Sequence, residues 1–124
     1  MSIDRLRAYA RWAFAVCLVV VLVYALMPLE IIGPAIGWDK MEHAITFALL
    51  TMVGCSAYAD RKIQVLLGLL AYGILIEVLQ SFTDYRFAEV LDVVADGVGI
   101  LIGWTFTRLL WRARLAAQTP KELP

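Results

Sequence analysis

Four apolar runs divide this chain, at about 12–29, 41–59, 63–82 and 89–111, each near the roughly 20 residues that a helix needs to cross the hydrocarbon of a bilayer. A chain built this way has few ways to fold. Backbone N–H and C=O groups in lipid must be paired within their own segment, so each run is expected as a helix. Composition agrees: 62% of the residues are hydrophobic and the mean hydropathy is +0.78, well beyond an ordinary soluble domain. The expected fold class is therefore all-α, a polytopic membrane protein built as a four-transmembrane-helix bundle. It forms a single domain over 1–124, with 112–124 as a cytoplasmic tail. No repeat, low-complexity tract or nucleotide-binding glycine loop is present, and no nucleic-acid partner is expected.

Arg5, Arg7 and Arg11 ahead of the first run imitate a secretory signal, with Gly33-Pro34-Ala35 as a weak cleavage motif. Pro28 and Glu30 end that run and three more spans follow, so it is read as a retained helix. Cys17 and Cys55 both fall inside apolar runs. There a cysteine is a small packed hydrophobe rather than half of a disulfide.

Formal net charge is zero, but the charges are segregated. Arg5, Arg7, Arg11, Arg61, Lys62, Arg108, Arg112, Arg114 and Lys121, nine of the eleven basic residues, fall on one side of a four-span arrangement. Only Lys40 and Arg86 fall on the other. Cytoplasmic loops carry the excess of Lys and Arg, which places the chain in the plasma (inner) membrane as a multi-pass protein with both termini cytoplasmic.

Against this background the stretch from Ile76 to Gly99 is unusual, because it sets Glu77, Gln80, Asp92 and Asp96 inside or beside two apolar runs. The third helix runs outward and the fourth runs inward, so these four side chains reach similar depth. At about 100° per residue, Gly73, Glu77, Gln80, Ser81 and Asp84 share one face of the third helix. Glu89, Asp92, Asp96, Gly99, Gly103 and Thr107 share one face of the fourth. The second helix begins with Asp39, Glu42, His43 and Thr46 within one arc, and His43 is the only histidine. Three polar faces are thus expected to converge in the outer leaflet. Gly99 and Gly103 extend the acidic stripe as a small-x-x-x-small pair, which lets helix backbones approach closely. The first helix has only Cys17 and Tyr24 among aliphatics, and is expected at the periphery, facing lipid.

These residues carry a resemblance. Asp-Lys-Met-Glu-His-Ala-Ile-Thr-Phe from Asp39 to Phe47, followed by Glu77, Gln80, the arginine-bearing loop at Arg86, Asp92, Asp96 and Gly99, resembles the VanZ-like family in order and spacing. The likeness spans Asp39 to Gly103. It implies functional weight for Asp39, Lys40, His43, Phe47, Glu77, Gln80, Arg86, Asp92, Asp96 and Gly99. Position 96 departs from the pattern, since many relatives carry Asn where this chain has Asp. The family takes its name from a protein associated with teicoplanin resistance, and the resemblance implies a cell-envelope role without an established reaction.

The chemistry open to these residues is bounded by charge. Eight acids (Glu30, Asp39, Glu42, Glu77, Asp84, Glu89, Asp92 and Asp96) face Lys40 and Arg86 on the outer side. A bare phosphate would therefore be repelled unless acids were protonated or a divalent ion were present. Arg86, with its planar fork of donors, is the expected clamp for a phosphate or carboxylate, and an amine-bearing group would suit the acids.

The expected ligand-binding set is Asp39, Lys40, His43, Glu77, Gln80, Arg86, Asp92 and Asp96, and the expected partner is a membrane lipid or lipid-linked envelope precursor. A homo-oligomer is left open. His43, Glu77, Asp92 and Asp96 are the candidates for acid/base catalysis, although whether the protein is an enzyme stays open. Ser81 and Thr46 lack the setting of an activated nucleophile. One histidine without cysteine partners is a thin ligand signature, so neither a metal nor any other cofactor is expected. Two other classes compete: a small carrier or proton relay using the same titratable groups, and a structural subunit whose polar cluster only orders the bundle.

Overall fold

A computed structural model describes residues 2–28 and 39–118. Glu30, Gly33-Pro34-Ala35 and Lys121 lie outside the described residues. The described chain is all-helical: α1 (Ile3–Leu26), α2 (Asp39–Ala57), α3 (Lys62–Ser81) and α4 (Val90–Gln118).

Local chemistry sets the ends of these helices. Ser2 caps α1, its side chain accepting from the Arg5 N–H, with Asp4 in the first turn where the helix dipole favours an acid. At the other end the Met27 N–H closes on Tyr24 O, and Pro28 cannot continue the ladder. The α2–α3 turn is tied by Tyr58 N–H to Gly54 O at 2.9 Å and Arg61 N–H to Tyr58 O at 2.9 Å. Thr83 closes α3, since its N–H and its hydroxyl both donate to Gln80 O, at 3.0 and 2.7 Å. Two helices outrun the apolar runs that announce them. α1 begins at Ile3 and α4 continues to Gln118, because the basic segments at 5–11 and 108–114 are good helix formers whose charges reach past the hydrocarbon edge.

Three of the helices, Ile3–Leu26, Lys62–Ser81 and Val90–Gln118, are long and apolar enough to cross a membrane. Their outer faces carry large exposed aliphatics such as Val16 and Val20 on α1, Leu67 and Ile74 on α3, and Leu101 and Ile102 on α4. Water would penalise such a surface, and lipid does not. α2 is shorter, begins with four charged or titratable side chains, and packs against all three of the others, most extensively on α4. The core consists of Phe47, Leu50 and Cys55 from α2, Val65, Leu69 and Ile76 from α3, and Ile100 from α4. Phe14, Leu18, Val21 and Leu22 of α1 cover it, although no residue of α1 is itself buried. Both cysteines are free.

The α2–α4 seam explains the glycines of α4. A Cβ at Gly99 would run into the Ala44 carbonyl, and one at Gly103 would run into the Ala48 carbonyl and stand 2.9 Å from Thr51 Cβ. Backbone therefore lies against backbone for a full turn beneath the polar end. The hydroxyls buried there, Thr51 and Thr107, donate back to Phe47 O and Gly103 O of their own helices, at 2.7 and 2.8 Å.

Candidate functional site

Because α2 and α4 run parallel in contact, with Lys40 beside Glu89 and Asp92 and Ala48 beside Gly103, the first turns of both helices meet the last turns of α1 and α3 at one end of the bundle. Lys40 and His43 sit three residues apart on α2, and Asp92 and Asp96 sit four apart on α4, spacings that keep each pair on one helix face. The two faces interlock. Lys40 Nζ donates to Glu89 Oε2 at 2.6 Å and to Asp92 Oδ1 at 3.1 Å. One turn deeper, His43 Nδ1 lies 2.7 Å from Asp96 Oδ1, while its Nε2 stands 3.8 Å from Asp92 Oδ2. Asp92 is 3% exposed and Asp96 0%, so the acids lie beneath Lys40 and away from bulk solvent. Lys40 precedes the apolar part of α2, and its hydrogen bonds, first to Glu89 and then to Asp92, hold its ammonium above the ordinary lysine pKa.

Glu77 approaches from α3. Its Oε2 accepts the Glu89 N–H at 2.9 Å, which satisfies a backbone donor at the start of α4 and joins the two helices across their loop. Its Oε1 is buried with no hydrogen-bond partner among the described residues, and the same holds for Asp96 Oδ2. The second of these rests against Gly73, where a Cβ would stand only 2.5 Å away. Gly73 thus provides the space that the Asp96 carboxylate occupies.

Gln80 and Arg86 turn elsewhere. Gln80 Nε2 donates to Ala25 O at 2.9 Å and Arg86 Nε to Met27 O at 3.3 Å, joined by Tyr85 OH to Leu26 O at 2.9 Å. All three engage the carbonyls that the last turn of α1 cannot pair within the helix. Deeper along α1, Tyr72 OH donates to Leu18 O at 2.5 Å. Arg86 keeps Nη2 buried and without a partner among the described residues. The eight expected residues therefore separate into an interlocked group, Lys40, His43, Asp92 and Asp96, with Glu77 bound to the adjoining backbone, and a pair, Gln80 and Arg86, that holds α1. Asp39 stands beside the first group: one ligand atom each from Asp39, His43 and Asp92 lies within 4.8 Å of the others. This trio could hold a metal ion, and Asp96 on the far ring nitrogen would then orient the imidazole.

Sequence reasoning missed Glu89 as a partner of Lys40 and of Glu77. Its place in the acidic stripe of α4 was the available signal. The use of α1 carbonyls as acceptors was also missed, and backbone groups leave no mark in a sequence.

Apolar helices around a buried, interlocked set of ionisable side chains define a small helical membrane protein with a polar centre at one end of its bundle. The sequence profile described as VanZ/LLP1 matches residues 7–111, and the chain belongs to that family. The match takes in α1 as well as the polar faces of α2, α3 and α4. No curated protein and no solved structure matches the chain.

Proposed function

We propose that the group formed by Asp39, Lys40, His43, Glu77, Glu89, Asp92 and Asp96 binds the polar headgroup of an envelope lipid or lipid-linked precursor on the outer side of the plasma membrane. The observation that carries this reading is the burial of Asp92 and Asp96, at 3% and 0% exposure, between helices that are otherwise apolar. An aspartate at the centre of a membrane helix costs about 2.5–3.5 kcal/mol on the insertion scale, and ionisable groups at such depth mark functional positions. Neutral amides would hold α2 on α4 at lower cost. Membership of the VanZ/LLP1 family supports the envelope setting and a link to glycopeptide susceptibility.

Charge narrows the ligand. Five carboxylates face Lys40 and His43, so an amine-bearing headgroup meets its complement directly. A phosphate requires a bridging cation, for which Asp39, His43 and Asp92 converge. His43 Nδ1 and Asp96 Oδ1 lie within hydrogen-bond reach at 2.7 Å, the kind of imidazole–carboxylate pairing that acid/base chemistry on such a ligand would use. The carrier reading is less well supported, because below Asp96 the seam closes at Gly99 and Gly103 against α2 backbone. A purely structural reading explains Gln80 and Arg86 but leaves the cost of the buried aspartates without a return.

Two experiments test the proposal. Lipids retained by the protein in a mild detergent, identified by mass spectrometry with and without a chelator, are expected to be enriched in one headgroup class relative to the bulk membrane. A lipid profile identical to the bulk would contradict it. Chelator-sensitive retention would assign the bridging role to a divalent ion. The outward placement is tested by single cysteines at Ser2 and Thr83 in a chain with Cys17 and Cys55 replaced by alanine. Thr83→Cys should react with an impermeant thiol reagent on intact cells and Ser2→Cys should not, and the reverse pattern moves the polar centre to the inner leaflet.

A further inference from the structure

The opposite end of the bundle carries a second polar feature, unconnected with the first. A cavity of about 380 Å³ opens between the amino-terminal turns of α1 and the α2–α3 corner, lined by Arg7, Arg11, Arg61, Asp60, Tyr58 and Ala57 among others. Its volume falls in the range of small-ligand sites, roughly 300–1,000 Å³.

The arginines are not neutralised from within. Arg11 is set in place by the protein: its Nε donates to Ala57 O at 3.4 Å, and its guanidinium lies over the Tyr58 ring at 5.1 Å from the centroid. The Ala57 carbonyl belongs to the negative end of α2, which that contact covers. The side chains of Arg7, Arg61 and Asp60 make no salt bridge among the described residues. Three guanidiniums against one carboxylate leave the cavity with two positive charges in excess. Arg61 also stands at the N-cap of α3 without giving it a side-chain cap hydrogen bond, and the amino-terminal end of a helix favours an anion.

Depth adds a second constraint. Tyr9 and Trp12, exposed on α1, and Trp111 of α4, with Lys62 Nζ at 4.6 Å from its ring centroid, mark the level at which amphipathic rings meet lipid headgroups. A guanidinium fork matches phosphate oxygens in pairs, which an ammonium or an amide cannot do. We propose that this cavity binds a phosphate group between Arg7, Arg11 and Arg61, presented either by an anionic phospholipid of the adjoining leaflet or as free phosphate.

The test is native mass spectrometry of the full chain in mild detergent, titrated with phosphatidylglycerol, with phosphatidylcholine and with inorganic phosphate. Phosphatidylglycerol should be retained in preference to phosphatidylcholine, and the double change Arg7→Gln with Arg61→Gln should reduce its retention by about tenfold or more, since each lost contact is a charge-assisted hydrogen bond. Asp60→Asn should increase retention, because it removes the one opposing charge from an exposed position that caps no helix. That variant keeps the test decisive if the double arginine variant fails to fold. Displacement of the lipid by millimolar inorganic phosphate, with phosphate adducts on the protein, identifies free phosphate as the source, and persistence of the lipid identifies the headgroup. Equal retention by the parent and the arginine variant, or no gain with Asp60→Asn, overturns the proposal.

Discussion

His43 Nδ1 and Asp96 Oδ1 stand 2.7 Å apart across the α2–α4 seam, and the aspartate is fully buried. Removing Asp96 leaves a histidine nitrogen without its partner inside the bundle, at a cost of about 1–3 kcal/mol. Asp96→Ala should therefore lower the unfolding midpoint in detergent clearly more than Asp96→Asn, which keeps the shape and the hydrogen bond. Equal midpoints for the two variants would show that the contact contributes nothing to stability.

The seam below this pair makes a sharper geometric prediction. Gly99→Ala and Gly103→Ala each drive a methyl group into α2 backbone, which must move as a unit. Overpacking of this kind costs about 1–3 kcal/mol. Gly68 and Gly97, in contrast, have nothing within 4 Å of an added Cβ. Alanine there should be neutral or stabilising by up to about 1 kcal/mol, because it removes backbone freedom from a helix interior. Thermal unfolding of the four single variants checks the contrast, and a Gly99→Ala protein as stable as Gly97→Ala would place α2 further from α4 than described.

Gln80 and Tyr72 give a prediction about α1. Each donates one side-chain hydrogen bond to an α1 carbonyl, Ala25 O and Leu18 O, so Gln80→Leu and Tyr72→Phe should each cost about 1 kcal/mol of stability and leave the retained lipid unchanged. Loss of lipid at full stability in Gln80→Leu would put that side chain among the ligand contacts instead.

This division of labour marks where sequence reading reached and where it stopped. The convergence of His43, Asp92 and Asp96 was legible, because helical spacing, alternating helix direction and the charge asymmetry all bear on it. The pairing of Lys40 with Glu89 was not, because both are long side chains at helix starts, and which acid a flexible ammonium meets depends on the offset between helices. Gln80 and Arg86 share depth with the acids, which makes them look like ligand contacts in the sequence, yet they donate to Ala25 O and Met27 O. Those acceptors exist at the end of every helix, whatever its sequence, so an α1 made of aliphatics showed no polar face. α2 illustrates a related gap. It is the shortest helix, at 19 residues, but it contacts all three others, because its charged start is paired by α4 and its small residues admit close neighbours.

If the buried acids act on a ligand and do not merely order the bundle, isosteric neutralisation separates the two roles. Glu77→Gln and Asp92→Asn preserve shape and hydrogen bonding while removing charge, and a neutral amide is cheaper to bury than a carboxylate. The measurement is the amount of lipid retained per protein in mild detergent, by mass spectrometry, for the parent and both variants at matched membrane abundance and unfolding midpoint. Both variants should fold and lose most of the headgroup-enriched lipid carried by the parent. Variants that fold and retain the same lipid in the same amount would contradict it, and would make the carboxylates structural.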